Sequence, residues 1–240
     1  MIRDNVSEFL GVYNDLEEAL SKKLNYHGNR DFSTYLYWAK ENKDEIIMRY
    51  FDELNSIREF RNILTHESTS NMYPIANPNP ELIERVKFLI DVIGNYKTAK
   101  DLFLKEVKSL RIDDTLKFAL ENINALGYTQ YPVFDKKRLV GIVTENGITN
   151  FLAFVSANGY EKLNHALIED VLEVDSGKNH FEIISEDTSI FQVEDMFHKE
   201  IKKGNSAFVI LISKIKNPKN PKDILGIITP WDVPTLLEYM

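Results

Sequence analysis

Gly141-Ile142-Val143-Thr144-Glu145-Asn146-Gly147-Ile148 returns 85 residues later as Gly226-Ile227-Ile228-Thr229-Pro230-Trp231-Asp232-Val233. Each copy reads as a buried apolar strand running straight into a helix, with a Thr where the helix N-cap falls. A second apolar segment precedes each copy, Tyr131-Pro132-Val133-Phe134 in the first and Ala207-Phe208-Val209-Ile210-Leu211-Ile212 in the second. Turn-rich connections join these segments to the repeated ones, so each pair is expected to form a hairpin. Helical patterning comes before each hairpin, from Thr115 to Leu126 and from Thr188 to Lys202. Two units of the chain are therefore built alike.

The 240 residues are enough for two domains with separate cores. A hydrophobic share of 43% is ordinary for a globular protein. No stretch approaches the roughly 18 apolar residues of a membrane span. Met1-Ile2-Arg3-Asp4-Asn5 lacks the apolar run of a secretory signal. The chain has no cysteine, which removes disulfides and thiolate chemistry and fits a cytoplasmic location. The net charge of −8 is spread along the chain, with 13 Lys and Arg against 16 Asp and Glu in residues 1–100 and 16 against 21 in residues 101–240. Binding to nucleic acid draws on neutralised phosphates, so no extended DNA-binding surface is expected and any RNA partner must meet a local basic patch.

Residues 1–100 read as an all-α bundle of about four helices. Val6, Phe9, Leu10, Tyr13, Leu16, Leu20 and Leu24 make one stripe, ended by Gly28 and Asn29. Phe32 to Ala39 is a shorter helical piece. Lys43 to Leu64 reads as one long helix with Ile47, Tyr50, Leu54, Ile57 and Leu64 on one face. Tyr73 to Asn79 is a loop, and Asn79 with Pro80 starts a last helix. Arg61, four residues after Ile57 and three before Leu64, falls on the apolar stripe. A buried charge needs either an acidic partner or a functional reason.

The repeated order of helix, strand, strand and helix resembles a tandem pair of CBS domains, whose usual role is binding adenine nucleotides. The resemblance implies repeats at about 105–160 and 165–240, within a C-terminal domain at 101–240. It further implies that Thr229 meets a phosphate, that Asp232 accepts hydrogen bonds from a ribose diol, and that Ala207, Phe208 and Val209 form one side of an adenine slot. Thr144, Asn146, Tyr131 and Pro132 are the corresponding nucleotide-binding residues of the first copy. That copy departs from the pattern because Gly147 stands where the second has Asp232. Losing a charge-assisted contact costs about 1.5–3 kcal/mol, so either Asn146 substitutes in part or the first site is empty. Thr229-Pro230-Trp231-Asp232 also has a structural explanation, as a capping box.

Arg61-Asn62-Ile63-Leu64-Thr65-His66 matches the Arg-x4-His pattern, with a polar residue after the Arg, of HEPN domains, helical bundles that often act as metal-independent ribonucleases. The resemblance implies a site of Arg61, Asn62 and His66, completed by the same residues of a second protomer. His66 has the acid/base chemistry for attack by a ribose 2′-hydroxyl, and Arg61 the planar fork for phosphate oxygens. His66 is equally explained as a histidine favoured at a helix C-terminus.

Elsewhere Ser213 to Lys222 is a hairpin connection with four lysines, either a solvated loop or a phosphate clamp. Asp113-Asp114 reads as a helix N-cap. The remaining histidines have no zinc spacing, so no metal is expected. The expectation is a multidomain α+β protein, a HEPN-like helical bundle at 1–100 followed by an α/β tandem CBS pair. The expected ligand is an adenine nucleotide (AMP, ADP, ATP or cyclic di-AMP), and the expected partners are a second copy of the chain and an RNA substrate. The rival expectation is a nucleotide sensor whose helical domain only dimerises or docks a partner.

Overall fold

The computed structural model describes residues 5–25, 31–66 and 76–240, leaving aside the side chains of residues 66 and 160–162. The expected stop at Gly28 and Asn29 and the start of the loop at Tyr73 lie outside the described residues. The chain divides into two compact units, Met1–Tyr96 with Tyr239–Met240, and Lys97–Glu238.

The first unit is helical. Helix α1 (Asn5–Leu24) buries Phe9, Val12, Tyr13, Leu16, Leu20 and Leu24 at helical spacing and packs mainly along α5 (Pro80–Asn95), which presents Ile83, Val86, Leu89, Val92 and Ile93. Asn79 caps α5 as expected, its Oδ1 accepting the Leu82 N–H at 2.8 Å ahead of Pro80. Between them lie α2 (Phe32–Glu41), capped by Asp31, then α3 (Glu45–Arg49), capped by Asp44, and α4 (Phe51–His66). The single long helix expected over Lys43 to Leu64 is thus two. The break falls at Tyr50, and Ile46, Ile47, Tyr50 and Leu54 are all buried on either side of it. No glycine or proline marks this turn, which is why the apolar pattern hid it.

The second unit is two matching motifs. It begins with α6 (Ala99–Phe103), capped by Thr98 and Asp101. The first motif runs β1 (Leu110–Arg111), α7 (Leu116–Leu126), β2 (Gln130–Asp135), β3 (Arg138–Thr144) and α8 (Glu145–Asn158), followed after a 3₁₀ turn by α9 (Ile168–Val174). The second runs β4 (Phe181–Ile184), α10 (Ile190–Lys202), β5 (Val209–Ser213), β6 (Ile224–Ile228) and the short α11 (Val233–Leu237). Both expected hairpins form, β2 against β3 and β5 against β6, each antiparallel and each with one register shift. Each sheet also gains a parallel outer strand that the hairpin pattern did not reveal, β1 on β2 and β4 on β5.

The sheets face each other through Phe134 and Ile142 on one side and Val209, Leu211, Ile224 and Ile227 on the other. Behind the first sheet, α7, α8 and α9 close a separate core around Tyr131, Val143, Phe151 and Val171. The N-cap of α7 is Thr115, not the expected Asp113-Asp114 pair. Asp114 instead accepts the Arg111 N–H at 2.7 Å and Asp113 pairs with the Arg111 guanidinium, because Thr115 already supplies the oxygen that the helix start needs.

The two motifs exchange their leading segments. Residues 97–105 hydrogen-bond to the second motif: Ile190 donates to the Lys97 carbonyl, Ala99 to Thr188, and Lys105 to Leu225. In turn, residues 166–169 serve the first motif, where Leu116 donates to Ala166 and Glu169 to Ile112.

Gly226 of β6 sits where Leu104 bridges onto the sheet. A Cβ there would overlap the Phe103 carbonyl oxygen and stand 2.9 Å from Ile212 Cδ1. Gly226→Ala is therefore expected to cost about 1–3 kcal/mol through overpacking, measured by urea unfolding followed by circular dichroism. A loss below about 0.5 kcal/mol would mean that residues 103–105 do not dock on β6 in solution.

Candidate functional site

In the first unit the Arg-Asn-x3-His segment lies at the end of α4. Arg61 is half-buried, its guanidinium 5.4 Å from the centre of the Tyr13 ring, and its Nη1 donates to Asn62 Oδ1 at 3.3 Å. It forms no salt bridge with a carboxylate among the described residues, and the acid that acts on it electrostatically is Glu17. Tyr13 is 3% exposed and stacks on Phe32 with ring centres 5.0 Å apart. Burial first, and then the charge of Glu17, push the Tyr13 hydroxyl up to about 12, so it is a neutral phenol at any ordinary pH.

Helix α4 is described through His66, one residue past Thr65, and Thr65 Oγ1 donates back to the Arg61 carbonyl at 3.0 Å. Five residues along an ideal helix turn about 140°. The His66 side chain lies outside the described residues. Arg58, one turn before Arg61, was missed in the sequence because it reads as an ordinary solvated charge. It is half-buried, held by Asn55 Oδ1 at 2.9 and 3.1 Å, and like Arg61 it acts electrostatically on Tyr13. Two cations thus gather beside one buried phenol.

In the second unit the site residues divide between two cavities. One, of 230 Å³, is lined by Thr229 and Asp232 together with Ile227, Tyr128 and the lysines Lys105 and Lys108. The other, of 340 Å³, is lined by Thr144 and Asn146 together with Ala207, Val209 and Glu145. Gln130 and Trp231 border both. The adenine slot expected beside Thr229 and Asp232 is thus exchanged: the start of β5 serves the Thr144 cavity, and the start of β2 serves the Thr229 cavity. Phe208 lines neither, being 4% exposed and packed edge-on against Phe197. Tyr131 and Pro132 line neither cavity and are both buried. Lys105, Tyr128, Gln130 and Trp231 were not picked out in the sequence. Trp231, 83% exposed, carried the one available signal, a large aromatic next to a cap.

Thr229 and Asp232 do form the capping box. Asp232 Oδ2 accepts the Thr229 N–H at 2.8 Å and its hydroxyl at 2.9 Å. After Thr229 the chain makes a 3₁₀ turn, Pro230–Asp232, and then only the five residues of α11, so little helix dipole acts here. Positive charge comes instead from Lys105 and from Lys108, the latter paired with Glu106 on the same wall at 2.5 Å. In the first copy Thr144 caps the full helix α8, its Oγ1 accepting the Gly147 N–H at 3.1 Å. The lysines of the Ser213 to Lys222 connection line neither cavity, and Lys214 lies 3.9 Å from Glu186. No group of three or more residues among those described could hold a metal ion, and no described helix is long and apolar enough to cross a membrane.

The family model described as "CBS domain" matches residues 99–153. No curated protein matches the chain. Solved structures similar to it include the CBS domain pair of protein MJ0100 in complex with 5-methylthioadenosine and S-adenosyl-L-methionine. That structure is 20% identical over 60% of this chain and 97% of its own, with a TM-score of 0.43. CBSX2 in complex with AMP is 16% identical over 59% of this chain and 96% of its own, with a TM-score of 0.40. The CBS domains of a transcriptional regulator from Streptococcus pneumoniae are 20% identical over 58% and 98%, with a TM-score of 0.39.

Glu17 offers a pH test of the electrostatics beside Arg61. Its carboxyl is raised above the ordinary value, chiefly by burial and against the pull of Arg61. A carboxyl raised in the folded state contributes stability that is present at low pH and lost as pH rises through its folded pKa. Glu17→Gln should therefore raise the melting temperature at pH 7 by about 1–4 °C, with the gain shrinking toward pH 4. A gain independent of pH would show that burial of Glu17 is not what shifts it.

Proposed function

We propose that the second unit senses an adenine nucleotide at the Thr229 and Asp232 cavity and that the first unit carries a HEPN-type, metal-independent endoribonuclease site regulated by it. The sensing half rests on one observation. A single cavity gathers a hydroxyl at Thr229, a carboxylate at Asp232, an apolar wall at Ile227, aromatic faces at Tyr128 and Trp231, and cations at Lys105 and Lys108. Those are the groups a nucleotide needs: a diol acceptor, a surface for the base, and charge for the phosphates. Asp232 uses Oδ2 for the cap, which leaves Oδ1 for the ribose. The match of residues 99–153 to the CBS family supports the same reading.

For the first unit, Arg61 and Arg58 supply phosphate-binding charge and His66 the acid/base group. Positions five apart on an ideal helix diverge by about 140°, so this reading completes the site with the same residues of a second protomer across a two-fold axis. The same divergence favours a second reading, in which the helical unit dimerises or docks a partner and cleaves nothing.

Calorimetry with AMP, ADP, ATP and cyclic di-AMP tests the sensor. At least one should bind, and Asp232→Ala should weaken it roughly ten- to a hundred-fold. Retention of full affinity would reduce the Thr229–Asp232 contacts to a cap. For the nuclease, His66→Ala should lower RNA cleavage by about 10²- to 10⁴-fold without loss of folding. The products should end in 2′,3′-cyclic phosphate, and cleavage should persist in EDTA. Activity abolished by EDTA or untouched by the substitution would leave the docking reading.

A further inference from the structure

The repeated segments align residue for residue, so Gly147 of the first copy corresponds to Asp232 of the second. In space the first copy does not lack a carboxylate. Asp175, just past the end of α9, lies against Gly147 so closely that a Cβ there would overlap its Oδ2 and stand 3.0 Å from its Cγ and 3.4 Å from its Cβ. Asp175 is 3% exposed. It is fixed from behind, for its N–H donates to the Val171 carbonyl at 3.0 Å and its Oδ1 accepts the Gly177 N–H at 2.9 Å. Its Oδ2 is buried and has no hydrogen-bond partner among the described residues.

An acid so placed demands an explanation, because burying a carboxylate oxygen without a donor is unfavourable. Part of the cost is offset by position: Gly147 is the third residue of the fourteen-residue helix α8, and an anion beside the first turn of a helix is favoured. The oxygen therefore occupies the place into which the side chain of residue 147 would project. In the second copy that place belongs to the Asp232 side chain, which is half-exposed and borders its cavity.

We propose that Asp175 stands in for the missing motif acid and closes the first copy to a ribose diol, so that the pair takes one nucleotide per chain, at Thr229 and Asp232. This rests on the nucleotide-sensing reading above. The rest of the first cavity agrees with it. Asp175 itself does not line that cavity, and Asn146 offers only a neutral amide. Glu145 takes the position of Pro230 and sets a negative charge on the wall, adverse to a phosphate. The two cavities are thus chemically unlike, one with two lysines, Glu106 and the diol acceptor Asp232, the other with Glu145 and amides and no cation among its lining residues.

The proposal makes Gly147→Asp a destabilising change and not the gain of a site, since the new side chain has to displace a buried one of like charge. Thermal melts of the full chain and calorimetry with AMP and with ATP test it together. The wild type should take one nucleotide per chain. Gly147→Asp should melt about 4 °C or more lower, and adding Asp175→Gly to it should recover most of that loss and raise the stoichiometry to two. Should Gly147→Asp fail to fold, Gly147→Ala with and without Asp175→Gly reads the same coupling through a smaller group. A Gly147→Asp protein as stable as wild type, a double variant no more stable than the single, or a recovered double variant that still takes one nucleotide would overturn the proposal, as would two equivalent nucleotides on the wild type. If neither AMP nor ATP binds any variant, the sensing reading fails and the stoichiometry with it, while the melting data still decide whether Asp175 fills the place of residue 147.

Discussion

Backbone hydrogen bonds that cross between the two motifs constrain everything else in the second unit. Residues 97–105 complete the second motif and residues 166–169 complete the first, through main-chain pairs such as Lys105 to Leu225 and Leu116 to Ala166. The sheet-to-sheet contact of Phe134 and Ile142 with Val209, Leu211, Ile224 and Ile227 adds apolar burial to that exchange. Together they place the start of β2 beside the end of β6 and the start of β5 beside the end of β3. Both cavities are products of this arrangement, and each draws its walls from both motifs.

The same arrangement explains what the sequence revealed and what it concealed. The hairpins were legible because alternation of apolar segments with turns is a local signal. Thr144 as N-cap of α8 and Asn79 as N-cap of α5 were legible for the same reason. Strands β1 and β4 were not, since a parallel partner is recruited across a helix and leaves no turn to read. The assignment of Ala207 and Val209 to the wrong Thr had a similar origin: nearness in sequence was taken for nearness in space, and exchanged segments break that link. The Asp175 carboxylate was invisible, because nothing in residues 171–177 hints that Gly147 of another helix lies beneath it. In the first unit, the stripe of Ile47, Tyr50, Leu54 and Ile57 was correct in burial but not in continuity.

The two motifs have diverged where their capping turns carry the acid. Gly147 and Asp232 sit at the same place in their turns, yet the Thr hydroxyls they accompany are held differently. Thr229 donates its hydrogen to Asp232, whereas Thr144 accepts from the Gly147 N–H. A repeat that keeps its fold can thus alter its binding properties through a single side chain, provided another part of the chain takes up the space.

The exchange also sets an order of events during synthesis. Residues 97–105 leave the ribosome well before their partners, since Lys105 bonds to Leu225 and Leu104 bridges to Gly226, roughly 120 residues later. At about 5–20 residues per second, that delay is on the order of 6–24 s. Throughout it Leu104 and its neighbours have no sheet to join, and β2 and β3 stand without the second sheet that covers Phe134 and Ile142. The helical unit, whose helices all lie within the first hundred residues, has its core in place by then. The nascent chain therefore carries a folded head on an open, apolar half-module, the interval in which a chaperone has most to protect.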